Sequence, residues 1–122
     1  MPRVLVVDDD PQARELLRDF LTAKEYEVIE AATGSEGLKR LRKERPHLVL
    51  LDINMPDMSG LEVLREAKAI DPAVGVIMVT GVQEEEIGRQ AMRDGAFDYI
   101  TKPLDLEYLE KSLWYKITTM TL

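Results

Sequence analysis

The chain has 122 residues, 45% hydrophobic and 32% charged, which suits one soluble domain with a single core and is too short for two. With 23 acidic against 16 basic residues the net charge is -7, so phosphate backbones are repelled and direct nucleic-acid binding by this domain is not expected. There is no cysteine, which excludes disulfides, thiolate metal sites and a thiol nucleophile; no apolar run reaches the roughly 18 residues of a membrane span, so a cytoplasmic protein without membrane contact is expected.

Short apolar runs alternate with segments of helical period five times, the pattern of repeated βα units around a parallel sheet. The first strand is predicted at Val4 to Val7, and its helix opens with Asp10 as N-cap and Pro11 at the first helical position. Ala13, Leu16, Leu17, Phe20 and Leu21 form that helix's inner face. A second strand, Glu27 to Glu30, leads to a helix with Thr33 and Glu36 in capping-box spacing, Leu38 and Leu41 inside, and Pro46 at its exit. The third strand, Leu48 to Leu51, precedes a helix that buries Leu61, Leu64 and Ala67 and ends at Asp71 and Pro72. After the fourth strand, Val76 to Val79, Glu84, Glu85 and Glu86 fall in the first turn of a helix, where its dipole favours them, and Gly95 serves as its left-handed cap. The fifth strand is Phe97 to Ile100, and Leu106, Leu109, Leu113 and Ile117 line the last helix. Residues 1–117 read as the domain and 118–122 as a fraying tail or the start of a linker.

In an open parallel sheet ligands bind beyond the carboxyl ends of the strands. Those positions hold Asp8, Asp9 and Asp10 after strand one, Asp52 and Asn54 after strand three, Thr80 and Gly81 after strand four, and Thr101, Lys102 and Pro103 after strand five. Carboxylates gathered there repel one another and resist burial unless a cation neutralises them. Oxygen-only ligands beside a phosphate partner are the conditions for Mg²⁺. Lys102 adds a second positive charge, able to pair with Asp52 or with a phosphoryl oxygen, and Thr80 adds a hydroxyl donor. A carboxylate so placed can attack phosphorus and form an acyl phosphate. Asp52, directly after the apolar run LVLLD and before the tight turn MPDMSG, is the candidate nucleophile.

The stretches VLVVDDDP, LVLLDINMPDMSG, VIMVTG and GAFDYITKP, in this order and each following its own strand, resemble the receiver domain of two-component response regulators over essentially the whole chain. The resemblance implies an α/β fold, a doubly wound, flavodoxin-like (βα)5 sheet in strand order 2-1-3-4-5. It implies Asp52 as phosphoryl acceptor, Asp8, Asp9, Asp52 and the Asn54 backbone carbonyl as Mg²⁺ ligands, and Lys102 as the phosphate-binding lysine. Thr80 and Tyr99 would be the switch residues, and the bond before Pro103 would be cis. Asn54 and Val82 occupy the positions that tune phosphoryl lifetime in the family. The phosphoryl donor would be a sensor histidine kinase or phosphotransfer phosphohistidine. The domain would catalyse only its own phosphorylation and dephosphorylation, and would not be an enzyme toward other substrates. The output surface resembles the fourth helix, fifth strand and fifth helix, facing a target protein or an attached output domain, in a monomer able to dimerise on phosphorylation.

Plainer readings stand beside these. Asp10 is an N-cap rather than a ligand, His47 faces solvent, Met55 and Met58 pack their loop, and Trp114 and Tyr115 pack or meet a partner. An aspartyl-phosphate phosphatase of the haloacid dehalogenase type would want a second Asp where Asn54 stands. A flavodoxin-like FMN module would want a Ser/Thr/Gly-rich loop where Asp8 to Asp10 stand. The remaining alternative is a receiver-like interaction module without phosphorylation.

Overall fold

The structure is a computed structural model and describes residues 1–120. The elements follow in strict alternation: β1 (Arg3–Val7), α1 (Pro11–Ala23), β2 (Glu27–Ala31), α2 (Gly34–Glu44), β3 (Leu48–Leu51), α3 (Gly60–Ile70), β4 (Gly75–Thr80), α4 (Glu85–Arg93), β5 (Asp98–Thr101) and α5 (Leu106–Met120). All strand pairs are parallel, in the order β2-β1-β3-β4-β5. The reversal of winding after β1 leaves a crevice at the carboxyl ends of β1 and β3.

The apolar runs of β1, β3 and β4 are buried on both faces, as central parallel strands must be. Alternate residues serve opposite cores. Leu5, Val7, Val49, Leu51, Val76 and Met78 pack under α2, α3 and α4. Val4, Val6, Leu48, Leu50, Ile77 and Val79 pack under α1 and α5, against Leu17, Leu21, Leu109 and Leu113. This pleat alternation locks the register, because a slip of one residue would exchange the two faces.

The helix starts follow local chemistry. Asp10 accepts from the Gln12 N–H at 2.9 Å, Thr33 from the Glu36 N–H at 3.1 Å, and Ser59 from the Leu61 N–H at 3.1 Å. Gly95, at φ +104°, turns the chain out of α4. On α1 the expected inner face is too wide. Leu17 and Leu21 are buried and Ala13 and Phe20 half-buried, whereas Leu16 is 50% exposed and lines an open surface pocket with Pro103 and Leu104. Helix α5 continues through Met120, three residues into the segment expected as a tail; Thr121 and Leu122 lie outside the described residues. Trp114 and Tyr115 are largely exposed on α5, although the Tyr115 ring stacks on Phe97 at 5.9 Å. No helix among the described residues is long and apolar enough to cross a membrane.

Candidate functional site: an acidic crevice around Asp52

Parallel pairing brings the ends of β1 and β3 level, with Val7 opposite Leu51, so the next residue on each strand, Asp8 and Asp52, enters the same crevice. The backbone holds both. The Asp8 N–H donates to the Ala31 carbonyl at 3.1 Å, and the Asp52 N–H donates to the Val7 carbonyl at 3.0 Å. Asp8 and Asp52 are buried, at 2% and 8% exposure, while Asp9 is exposed at the rim. One carboxylate oxygen from each of the three lies within 4.8 Å of the others.

Lys102 spans the two buried acids. Its Nζ stands 2.8 Å from Asp8 Oδ2 and 3.3 Å from Asp52 Oδ2. Burial alone would lower this ammonium, but the bond to Asp8 and the charges of Asp52 and Asp8 outweigh it and leave Lys102 above the usual lysine value. The Lys102 N–H bonds the Thr80 carbonyl at 2.8 Å, and the Lys102–Pro103 peptide is cis. The remaining carboxylate oxygens are also partnered: Asp8 Oδ1 accepts from the Asp10 N–H at 2.9 Å, and Asp52 Oδ1 from the Ile53 N–H at 2.7 Å. Three acids against one lysine leave a local excess of negative charge. That donor set, all oxygen and open at Asp9, fits a hard divalent cation.

Thr80 is fully buried at the end of β4, where its Oγ1 accepts from the Val82 N–H at 3.2 Å. Tyr99 is half-buried on β5, and its hydroxyl donates to the Val82 carbonyl at 2.7 Å. Burial first, then the charges of Asp52 and Glu84, raise its phenol. The two expected switch residues therefore meet through one residue of backbone, Val82. Asn54 is exposed in the loop after β3. His47 is exposed, and its Nδ1 accepts from the Arg3 N–H at 3.0 Å.

Several residues that support the crevice escaped the sequence reading. Arg14 reaches back from α1 to donate to the Asp8 carbonyl at 2.7 Å. Gly60 closes the loop after β3 with an N–H bond to the Ile53 carbonyl at 2.8 Å, and a Cβ there would collide with the Asp52 carbonyl oxygen. Asp98 accepts from Tyr108 and Ser112, each at 2.8 Å, fastening β5 to α5. Asp57 accepts from the Gly34 N–H at 2.9 Å, the Ser35 N–H at 3.0 Å and the Ser35 hydroxyl. A Gly in a turn ending at a helix start is visible as a motif, but pairings 22 or 23 residues apart, such as those of Asp57, have no local signal.

The Ser35 hydroxyl above all, then the Ser35 and Gly34 N–H groups, hold Asp57 at about 2, below its ordinary 3.8. A depressed carboxylate contributes its stability fully above the ordinary value and loses it as pH falls toward the folded one. The melting temperature of Asp57→Asn is therefore expected below that of the wild-type chain near neutral pH, with the gap closing between pH 3.8 and about 2. A gap that stays constant over a series of thermal melts across this range would show that the ionised carboxylate is not what matters.

Comparison with known proteins agrees with this geometry. The family model described as the response regulator receiver domain matches residues 4–113. The chain is 35% identical over 113 residues to the probable C4-dicarboxylate response regulator DctR of Bacillus subtilis, covering 91% of this chain and 50% of that protein. It is 34% identical to sporulation initiation phosphotransferase F of Bacillus subtilis, covering 91% and 90% respectively. The crystal structure of a CheY-like response regulator receiver domain protein from Methanospirillum hungatei superposes with a TM-score of 0.96 at 36% identity, over 99% of this chain and 97% of that one. The chain thus spans half the length of DctR, 90% of phosphotransferase F and 97% of the Methanospirillum chain. The order of its strands, the acids at their ends and the family match over 4–113 lead to one conclusion: the chain belongs to the receiver domains of two-component response regulators.

Proposed function

We propose that Asp52 accepts a phosphoryl group from a phosphohistidine, on a sensor histidine kinase or a phosphotransfer protein, and that the acyl phosphate switches an output surface. The observation that carries this is a nucleophile-ready carboxylate, Asp52, buried at the end of β3, ion-paired to Lys102 and within 4.8 Å of the Asp8 and Asp9 oxygens. An Asp52 oxygen attacks phosphorus, the P–N bond to imidazole breaks as the P–O bond forms, and the imidazole leaves with the bonding pair. Lys102 is placed to take the charge of the transferred oxygens. Asp8, Asp9, Asp52 and the Asn54 carbonyl would hold Mg²⁺, which supplies further neutralisation of phosphoryl charge. Attack of water on the same phosphorus returns Asp52 and inorganic phosphate, so the domain turns over only its own phosphoryl group.

The output step starts at Val82. Drawn toward the phosphoryl oxygens, the Thr80 hydroxyl leaves the Val82 N–H, and the backbone that also anchors the Tyr99 hydroxyl is freed. The change reaches α4, β5 and α5, where a groove containing Gly88, Met92 and Tyr99 is already open. This surface would meet a target protein or an output domain, or a second copy on phosphorylation, in the cytoplasm, without nucleic acid or membrane contact by the domain itself.

The test is intact-mass analysis after incubation with Mg²⁺ and acetyl phosphate or a phosphorylated histidine kinase. One phosphoryl adduct is expected on the wild-type chain, absent without Mg²⁺ and absent from Asp52→Asn. A folded chain that takes no adduct from any donor, nor any beryllofluoride, would instead be an interaction module.

A further inference from the structure

The loop that runs from Asp52 to Gly60 is pinned at both ends. At its base, Gly60 donates to Ile53 and packs under the Asp52 carbonyl so closely that no Cβ fits. At its tip, the Asp57 carboxylate seats on the first turn of α2, taking the Gly34 N–H, the Ser35 N–H and the Ser35 hydroxyl. Met58 packs there too, since a Cβ on Gly34 would run into its side chain. The first N–H groups of a helix lack partners within it and favour an anion, and bonds to a charged acceptor are about twice as strong as neutral ones. Thr33 caps the same turn, but from within its own segment, through the Glu36 N–H.

Helix α2 starts three residues after Ala31, whose carbonyl receives the Asp8 N–H. Asp57 therefore completes a ring of contacts: Asp8 to Ala31, along the chain to Gly34, across to Asp57, and back along the loop to Asp52. The ring joins the two halves of the acidic crevice, one built on β1 and the other on β3.

We propose that Asp57 is a positioning residue: by clamping the loop after β3 onto the start of α2, it fixes the spacing of the Asp52 side of the site relative to Asp8 and Asp9. The consequence for phosphorylation rests on the phosphoryl-acceptor reading above; the clamp itself does not. Without the carboxylate the tip keeps only the apolar packing of Met55 and Met58, which fixes position less sharply than three hydrogen bonds, and the crevice samples spacings less suited to one small ion and one phosphoryl group.

Three proteins decide it: wild type, Asp57→Ala and Thr33→Ala. The last loses a cap on the same turn of α2 without touching the loop, so it reports what lost helix stability alone does. Asp57→Ala is expected to speed hydrogen exchange of the Ile53 and Gly60 amides, without Mg²⁺, by about tenfold, and Thr33→Ala to leave them within about twofold. Asp57→Ala is also expected to weaken Mg²⁺ binding and to slow uptake from acetyl phosphate, each by about threefold to tenfold, with Thr33→Ala near wild type. Unchanged Ile53 and Gly60 exchange in Asp57→Ala, or an equal effect of Thr33→Ala on exchange and on Mg²⁺ affinity, overturns the clamp. A wild-type chain that takes neither Mg²⁺ nor a phosphoryl group overturns the acceptor reading instead, and the exchange data still decide the role of Asp57.

Discussion

Lys102→Ala is expected to slow phosphoryl uptake from acetyl phosphate by about a hundredfold to a thousandfold and to destabilise the ion-free protein by about 2 to 3 kcal/mol. The rate effect follows from position. Removal of one pre-set donor to developing oxyanion charge costs about a hundredfold to a thousandfold in acyl transfer, and Lys102 is the cation already bonded to Asp52. The stability effect follows from charge. Breaking a buried ion pair from one side costs about 3 to 5 kcal/mol because the partner is left uncompensated. Lys102 serves two such partners, but its own side chain is 30% exposed, so water re-enters and the cost falls to about 2 to 3 kcal/mol. Lys102→Arg separates the two effects. It keeps the charge and much of the stability, but a planar fork does not place one nitrogen between Asp8 and Asp52, so the rate stays low. Time courses of intact mass give the first quantity and denaturant melts in chelator the second. Uptake by Lys102→Ala within a few fold of wild type would remove this residue from the chemistry.

The strands and the site acids were legible because both rest on local rules. An apolar run such as LVLL can be buried on two faces only in the middle of a parallel sheet, and a carboxylate directly after it is delivered to the crevice by geometry. Strand limits moved by one residue at most, as for β5, which begins at Asp98 rather than Phe97. The Phe97 N–H already bonds the Val76 carbonyl, but its ring serves the stack with Tyr115. Periodicity alone placed Leu16 inside. Its exposure depends on what the rest of the chain packs against that side of α1, which no window of α1 itself encodes. Asp57 illustrates the deeper limit: read locally it is a turn residue, and only the approach of α2 to the loop after β3 turns it into a helix cap in trans. The Val82 backbone, shared by Thr80 and Tyr99, is a meeting point that side-chain motifs do not display.

The charge balance in the crevice leads to an effect opposite to the usual one for a buried residue. Asp52→Asn is expected to be more stable than the wild-type chain by about 1 to 2 kcal/mol in chelator. At an effective dielectric of about 20, the attraction of Asp52 to Lys102 at 3.3 Å amounts to about 5 kcal/mol. Repulsion from Asp8, within 4.8 Å, amounts to about 3.5 kcal/mol, and that from the exposed Asp9 to less. Repulsion therefore roughly offsets the attraction, and the cost of burying a charge at 8% exposure, which the amide avoids, tips the balance. The Ile53 N–H keeps an acceptor in the amide carbonyl of the variant, which limits the loss. Mg²⁺ should then reverse the order. A ligand at about 100 times its dissociation constant stabilises the protein that binds it by about 2.7 kcal/mol, and the variant, lacking one of three acids, binds more weakly. Thermal melts in chelator and in excess Mg²⁺ should therefore cross, with the Asp52→Asn variant higher in the first and wild type higher in the second. If Asp52→Asn is instead the less stable protein in chelator, Lys102 already balances the site, and its affinity for a cation must come from the geometry of the oxygens and not from unrelieved charge.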